Sequence, residues 1–164
     1  MSYDPNTITP CGKTYGEIDA DEARYVAAAN DALASLRERG CRWWNYSVSH
    51  CTFELVIGDP LARYPNLVIC LAACDHISGP VGWANQQLRV IWDNDRERNK
   101  PWVFTLRDDS VHFKAVGGVF GWRRNFDLHK HGSMYFDKPG GPSTDDEQDG
   151  DTSSSHGRAG PREP

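Results

Sequence analysis

The sequence has no long apolar run, and this lack bounds the class of protein that it can encode. Its longest uninterrupted apolar stretch, residues 67–74, spans eight residues, whereas a helix that crosses a bilayer needs about 20. The N-terminal residues 1–7 lack both the basic and the apolar region of a secretory signal peptide. We therefore expect a soluble, cytoplasmic protein that has no contact with membranes.

A regular cysteine framework is lacking, since the cysteines are odd in number and irregularly spaced. An odd number of cysteines at uneven intervals is not the disulfide framework of a small secreted domain. In a reducing compartment such residues are most simply small, buried, hydrophobic side chains. The five cysteines are Cys11, Cys41, Cys51, Cys70 and Cys74.

An excess of positive charge is also lacking. The formal net charge is −5. Residues 137–164 hold seven acidic and three basic residues, for a net −4, so residues 1–136 carry only −1. Sequence-independent binding to nucleic acid depends on neutralising phosphates with lysine and arginine. We therefore expect no nucleic-acid partner.

Composition divides the chain into three parts. Residues 137–164 contain Pro, Gly, Ser, Thr and acidic residues but no aromatic residue, which predicts a disordered acidic tail because too little apolar surface is available to offset the ordering entropy. Residues 1–16 have prolines and glycines without periodicity, which predicts an irregular N-terminal arm. Residues 17–136 are then expected to form a single α+β domain.

One amphipathic helix is predicted near the N-terminus. Asp19 and Glu22 have the spacing of a capping box. Apolar residues recur at three- and four-residue intervals from Ala23 to Leu36, and Gly40 follows as a stop signal. The expected helix has about five turns.

An aromatic-rich run, residues 42–57, changes phase at its middle. Apolar side chains occupy even positions up to Val48 and odd positions from Cys51 onward. Since a strand alternates its side chains between two faces, the register must be reset at His50-Cys51 by a bulge, a sharp bend or a tight turn. Bulges often lie beside functional sites, so the reset is the first place to look for one.

The remainder of the chain predicts strands and loops. The apolar residues 67–74 predict a central strand that is buried on both faces. Three further elements are expected after it. They are a strand with alternating residues 88–92, a hairpin built from residues 102–106 and 111–115, and, after a break at Gly117-Gly118, a further strand in residues 119–126. One helix and about five mostly antiparallel strands suggest a curled sheet packed on the helix, with a cystatin-like roll as an architectural analogy only.

Cysteine and histidine meet twice in the sequence, at His50-Cys51 and at Cys74 to His76. If the two stretches adjoin, Cys74, His76 and His50 could bind zinc, or a thiolate–imidazole pair (Cys51 with His76, or Cys74 with His50) could act as a nucleophile and base. Cys70 and Cys74 lie roughly 13 Å apart along a straight strand and cannot share an ion. Buried cysteines and a loop histidine are the simpler interpretation.

Two weaker patterns complete the candidates. His129 and His131 would point to the same side of an extended segment and could chelate an ion. The Gly117-Gly118-x-x-Gly121 pattern lacks the lysine and hydroxyl of a phosphate-binding loop. Neither pattern points to a specific ligand.

Tryptophan is abundant, with six residues in the middle of the chain. Trp, Tyr and Arg are enriched at protein interfaces and dominate their energies, although tryptophans in the core with arginines at strand ends would look the same in sequence. The favoured function is a non-enzymatic binding or assembly module that contacts a protein partner, or a second copy of itself, without a cofactor. The alternative is a small hydrolase or zinc-binding enzyme that uses His50, Cys51, Cys74 and His76. The candidate binding residues are Trp43, Trp83, Trp122, Arg123 and Arg124.

Overall fold

A computed structural model describes residues 4–48, 51–59, 61–93 and 103–131, apart from the side chains of His129 and His131. It confirms an α+β fold in which one long helix packs against a curled antiparallel sheet. The sheet has seven strands rather than about five, in the order β4-β1-β2-β3-β7-β6-β5. The elements are α1 Tyr15–Ala34, β1 Cys41–Ser47, β2 Thr52–Ile57, β3 Leu67–Ser78, β4 Gly82–Trp83, β5 Arg89–Asp93, β6 Val103–Asp108, β7 Phe113–Arg124 and α2 Leu128–His131.

The strand count was underestimated for two reasons. Strand β4 has two residues, which is too short to show alternation. The aromatic-rich run forms two separate strands, since Ser47 pairs with Thr52 across a turn in which Cys51 has a positive φ of 47°. The register reset is therefore the turn of a hairpin. His50 and the acidic residues 137–164 lie outside the described part of the chain.

The helix begins one turn earlier than predicted. Thr14 is its N-cap: the Thr14 hydroxyl accepts a hydrogen bond from the Glu17 backbone N–H (3.2 Å), and the Glu17 carboxylate accepts one from the Thr14 N–H (2.7 Å). The predicted pair, Asp19 and Glu22, lies inside the helix instead. Both pairs have capping-box spacing, so sequence alone does not distinguish them.

The two faces of β1 differ from the simple alternation. A register shift between Trp43 and Asn45 inserts Trp44 as an extra residue. Trp43 packs into the core beneath α1, whereas Trp44 packs on the opposite face. The prediction that Trp44 and Tyr46 share one face with Val48 was wrong because a bulge moves each later residue to the other face.

Strand β3 lies at the centre of the sheet and is buried as predicted, with residues 67–72 and 74 shielded from solvent. Its neighbour β7 runs through Gly117-Gly118 without a break, so the expected separate strand in residues 119–126 was wrong. A Cβ atom on Gly117 would lie 2.9 Å from the Ala72 carbonyl oxygen. Glycine is needed here because the two strands approach closely.

The sheet has an inner face, covered by α1, and an outer face. The main core lies between α1 and the inner face. On the outer face, Phe126 and Leu128 pack against Val68 and Cys70. An ion pair between Arg63 Nε and Asp127 Oδ2 (2.7 Å) holds this C-terminal segment in place. None of the described helices is both long and apolar enough to cross a membrane.

Candidate functional site

The candidate tryptophans form parts of two aromatic clusters, and each of them is half-buried. Trp43 contacts Phe53 with ring centroids 5.2 Å apart, and Trp83 contacts Phe113 at 4.8 Å. Phe53 and Phe113 contact each other at 6.1 Å. This chain of rings links β1 and β4 to the start of β7, so Trp43 and Trp83 belong to one cluster.

Trp122 belongs to the second cluster, in which Tyr25 of α1 contacts both Trp122 and Phe120 at 5.9 Å. The adjacent residues Arg123 and Arg124 do not form a single surface with this second cluster. Arg123 lies on the outer face with its guanidinium over the Phe126 ring (5.7 Å). Arg124 instead donates a hydrogen bond to the Ser35 hydroxyl (3.2 Å) just beyond α1. Trp122, Arg123 and Arg124 therefore contact separate elements, and a single surface cannot contain all five predicted binding residues.

An exposed apolar surface lies instead at the outer edge of β1. We call it the β1 edge patch, and its members are Trp43, Tyr46, Val48 and Val81. The exposed fractions of Tyr46, Val48 and Val81 are 47%, 76% and 65%. The Val81 carbonyl accepts a hydrogen bond from the Trp43 N–H (2.8 Å), and Tyr46 pairs with Phe53, the residue whose ring Trp43 contacts. Trp43, Tyr46 and Val81 are thus neighbours, and Val48 follows Tyr46 at the end of the strand.

The strand beneath this patch is paired for only part of its length. Among the described residues, β4 pairs with Cys41 and Arg42, and the next bond on that side is the one from Trp43 to Val81. No described strand pairs with Asn45 or Tyr46 on the side away from β2. An edge strand that carries exposed apolar side chains is a template for another strand. The sequence did not indicate Tyr46 and Val81 as exposed binding candidates, because the burial of each depends on which strands lie beside it.

The two cysteine–histidine stretches do adjoin. The Cys74 backbone N–H donates a hydrogen bond to the Cys51 carbonyl (2.7 Å). The side chains do not form a reactive pair among the described residues: the Cys74 thiol donates to the His76 carbonyl (3.7 Å), and His76 Nε2 contacts the Ser78 hydroxyl (3.2 Å). The relationship of His50 to this cluster lies outside the described residues.

Burial makes the thiols of Cys70 and Cys74 weak nucleophiles. Desolvation raises the pKa of Cys74, although hydrogen bonds with the His76 and Val116 backbone partly oppose the shift. Desolvation, with a contribution from the Glu54 carboxylate, raises the pKa of Cys70 to about 12. The thiolate is the form that attacks carbonyls and binds metals. Both groups are therefore protonated near neutral pH.

The described residues hold no group of three or more Cys, His, Asp or Glu side chains that could bind a metal ion. Cys70 and Cys74 lie on opposite faces of the sheet, Cys70 in the outer cluster and Cys74 in the inner core. The reason is the distortion at Ala73, whose φ is 49°. His129 and His131 lie in the helical turn α2, so the extended segment assumed for chelation is not formed.

Comparison with protein-family models, with curated proteins and with solved structures finds no match for the chain.

Proposed function

We propose that this protein is a non-enzymatic binding or assembly module that contacts a protein partner through the β1 edge patch. The observation that carries the proposal is the exposure of Tyr46, Val48 and Val81 beside the incompletely paired half of β1. Trp43 and Trp83, two of the five predicted binding residues, pack behind this edge and support it. Trp122, Arg123 and Arg124 are then structural.

Strand addition is the binding mode that this edge supports. A partner strand would hydrogen-bond to β1 at Asn45 and Tyr46, on the side away from β2, and its alternate side chains would cover Tyr46 and Val48. Tyrosine contributes a large contact area at a low entropy cost, since it has two side-chain torsions. Trp43 supports Tyr46 through Phe53, because Phe53 pairs with Tyr46 and its ring contacts Trp43.

Lysine substitutions on the patch test the proposal. Tyr46→Lys and Val81→Lys add charge to the edge, a change that opposes strand pairing. We expect Tyr46→Lys to weaken the partner complex by about tenfold or more, since loss of an aromatic anchor costs about 1.4–2 kcal/mol. Val81→Lys should weaken it in the same direction. Sedimentation velocity over a wide concentration range measures self-association. Photo-crosslinking from position 46, followed by binding assays with the purified crosslinked protein, measures a different partner.

Matched controls are Val119→Lys on β7 and Leu61→Lys in a loop, because both residues are exposed, at 52% and 82%, and lie away from β1. Equal weakening by patch and control variants would contradict the proposed surface. The function itself would be contradicted if the wild-type chain does not self-associate and if a chain with a photo-reactive residue at position 46 forms no crosslink to a partner.

The second candidate function is the small hydrolase or zinc-binding enzyme. The hydrogen bond between Cys51 and Cys74 supports it, since it brings the two stretches together. The raised pKa of Cys74 opposes it. Elemental analysis that finds stoichiometric zinc in the purified chain would favour this candidate over the binding module.

The organisation of the chain is part of the same proposal. A single domain in residues 17–136, an N-terminal arm, a disordered acidic tail and a cytoplasmic location suit a small module whose sheet resembles a cystatin-like roll only in architecture. Limited proteolysis should cleave first beyond residue 137.

A further inference from the structure

A second surface lies on the outer face of strands β5, β6 and β7 and shares no residue with the β1 edge patch. Three basic residues stand directly opposite one another across three strands: Arg89 pairs with Arg107, and Arg107 pairs with Lys114. Ser78 of β3 continues the row by pairing with Lys114. We call these four residues the basic row. Their neighbours Val90, Leu106 and Ala115 are buried in the inner core, so the basic row faces outward.

The positive charge of the basic row is only partly neutralised. Asp109 forms ion pairs with both Arg89 (2.6 Å) and Arg107 (2.7 Å). One carboxylate therefore neutralises part of the charge of two guanidinium groups. Lys114 is exposed and forms no ion pair with any described residue. The Nε atom of Arg107 is buried and has no hydrogen-bond partner among the residues that the structure describes. The row therefore keeps a net positive charge and an unused donor.

A cleft opens over three members of the basic row, Ser78, Arg107 and Lys114. Its volume is about 400 Å³, and its walls combine charged, hydroxyl and apolar groups. A cleft with this lining suits an extended acidic peptide, whose carboxylates can bind the guanidinium and ammonium groups while its backbone crosses the strands. The residues that line it are Ser78, Ile91, Thr105, Arg107, Asp109, His112, Phe113 and Lys114.

The C-terminal part of the chain leaves the described structure on this same outer face. Phe126 and Leu128 pack on the outer face beside β2 and β3, and the described residues end at His131. From there to the basic row the path along β7 and across two strands is roughly 30 Å, at about 3.3 Å per residue and about 4.8 Å between strands. Residues 132–144 can span up to about 45 Å when extended. The acidic run in residues 145–151 can therefore reach the row.

We propose that the basic row binds the chain's own acidic segment, residues 145–151. This segment carries five acidic residues and no basic residue, which complements the net charge of the row. Binding within one chain also benefits from the high effective concentration that a short connection provides. The surface is distinct from the β1 edge patch, so the proposal is independent of the proposed function.

Zero-length carbodiimide crosslinking of the full chain, read by mass spectrometry, tests the proposal. It joins an amine to a carboxylate only where they are in contact. We expect links from Lys114 to residues 145–151 in low salt, and a loss of about fivefold or more in 1 M salt, where the Debye length is about 3 Å. The variant with Arg89→Ala and Arg107→Ala should lose the links, while Tyr46→Lys should retain them.

A mixture of isotopically light and heavy protein distinguishes links within one chain from links between chains. Links between chains would overturn the proposal, and so would links from Lys114 no more frequent than those from Lys13, which lies before α1.

Amide NMR spectra of the full chain give a second measure that does not depend on an amine. We expect the combined substitution Asp145→Asn, Asp146→Asn, Glu147→Gln, Asp149→Asn and Asp151→Asn to shift the signals of the basic row and to leave those of Tyr46 unchanged. If the substitutions leave the row unchanged while added inorganic pyrophosphate shifts it, the row binds an external anion and the proposal is wrong.

Discussion

The indole Nε1 of Trp83 donates a hydrogen bond of 2.8 Å to Oδ2 of Asp108. Trp83 belongs to β4 and Asp108 ends β6, two strands that four others separate in the sheet order. The bond therefore joins distant strands and spans the inner side of the curled sheet. Asp108 is fully buried and also accepts hydrogen bonds from the Gln87 N–H (2.6 Å), the Ser110 N–H (3.0 Å) and the Ser110 hydroxyl (2.5 Å).

Replacement of Asp108 should destabilise the fold strongly. Asp108→Ala leaves the Trp83 and Gln87 donors without their acceptor, and we expect a loss of about 2–4 kcal/mol in the free energy of unfolding. Urea denaturation measures it. Asp109→Ala is the matched control, since its ion pairs are exposed and exposed ion pairs contribute little to stability. Equal losses for the two variants would show that Asp108 does not join the strands.

The same carboxylate should make stability depend on pH. Burial alone would raise the pKa of Asp108, but the hydrogen bonds from Ser110, Gln87 and Trp83 outweigh it and hold the pKa below its usual value. Stabilisation by a lowered pKa is fully present above the unfolded-state pKa of about 3.9 and is lost as the pH falls through the folded-state value. The urea concentration at the unfolding midpoint of the wild-type protein should therefore decrease as the pH is lowered through this acidic range. Asp108→Asn should flatten that fall, and parallel profiles for both proteins would contradict the assignment.

Asn30 of α1 protects the edge strand β5. Its side-chain amide donates to the Val90 carbonyl (2.9 Å) and accepts from the Val90 N–H (2.8 Å), as a neighbouring strand would. Asn30→Ala should cost about 1–3 kcal/mol, since Val90 is buried and its backbone loses both partners. Hydrogen exchange at Val90 should accelerate. Asp31→Ala, on the exposed side of the helix, should change neither quantity, and unchanged exchange in Asn30→Ala would refute the role.

The cysteines should divide into two classes of reactivity. Cys11 and Cys51 are exposed, and a hydrogen bond with the Thr9 hydroxyl lowers the pKa of Cys11. Burial raises the pKa of Cys41 and Cys70. Iodoacetamide should label the first two in the native protein and the buried pair at least about 100-fold more slowly, because reactivity follows the thiolate fraction. Mass spectrometry measures the rates. Labelling of Cys74 as fast as Cys51 would support the thiol-dependent enzyme instead.

Local patterns predicted the elements whose signals are contained within one segment. The amphipathic repeat predicted α1, the apolar run predicted β3, and the alternation around Asp108 predicted the β6–β7 hairpin. The features that the sequence misassigned depend either on a choice between equal local signals or on pairing with another segment. The capping box at Thr14 competes with one of equal spacing at Asp19, and β4 exists only because it pairs with Cys41 and Arg42.

The candidate sites show the same division. The sequence placed His50 and Cys51 at a change of register, and the change is the β1–β2 turn. It did not show that Tyr46 is exposed while Trp43 is half-buried, since that depends on a one-residue bulge. It also did not show that Arg89, Arg107 and Lys114 share a row, because the row follows from the strand order.

The sequence by itself determined the class of the fold, because hydrophobic periodicity records which side of each segment is buried. The tertiary structure alone decided which edge of the sheet stays incompletely paired and which charges align across strands. Strand pairing joins residues far apart in the chain, and its register follows from the packing of the whole sheet on α1 rather than from any one segment.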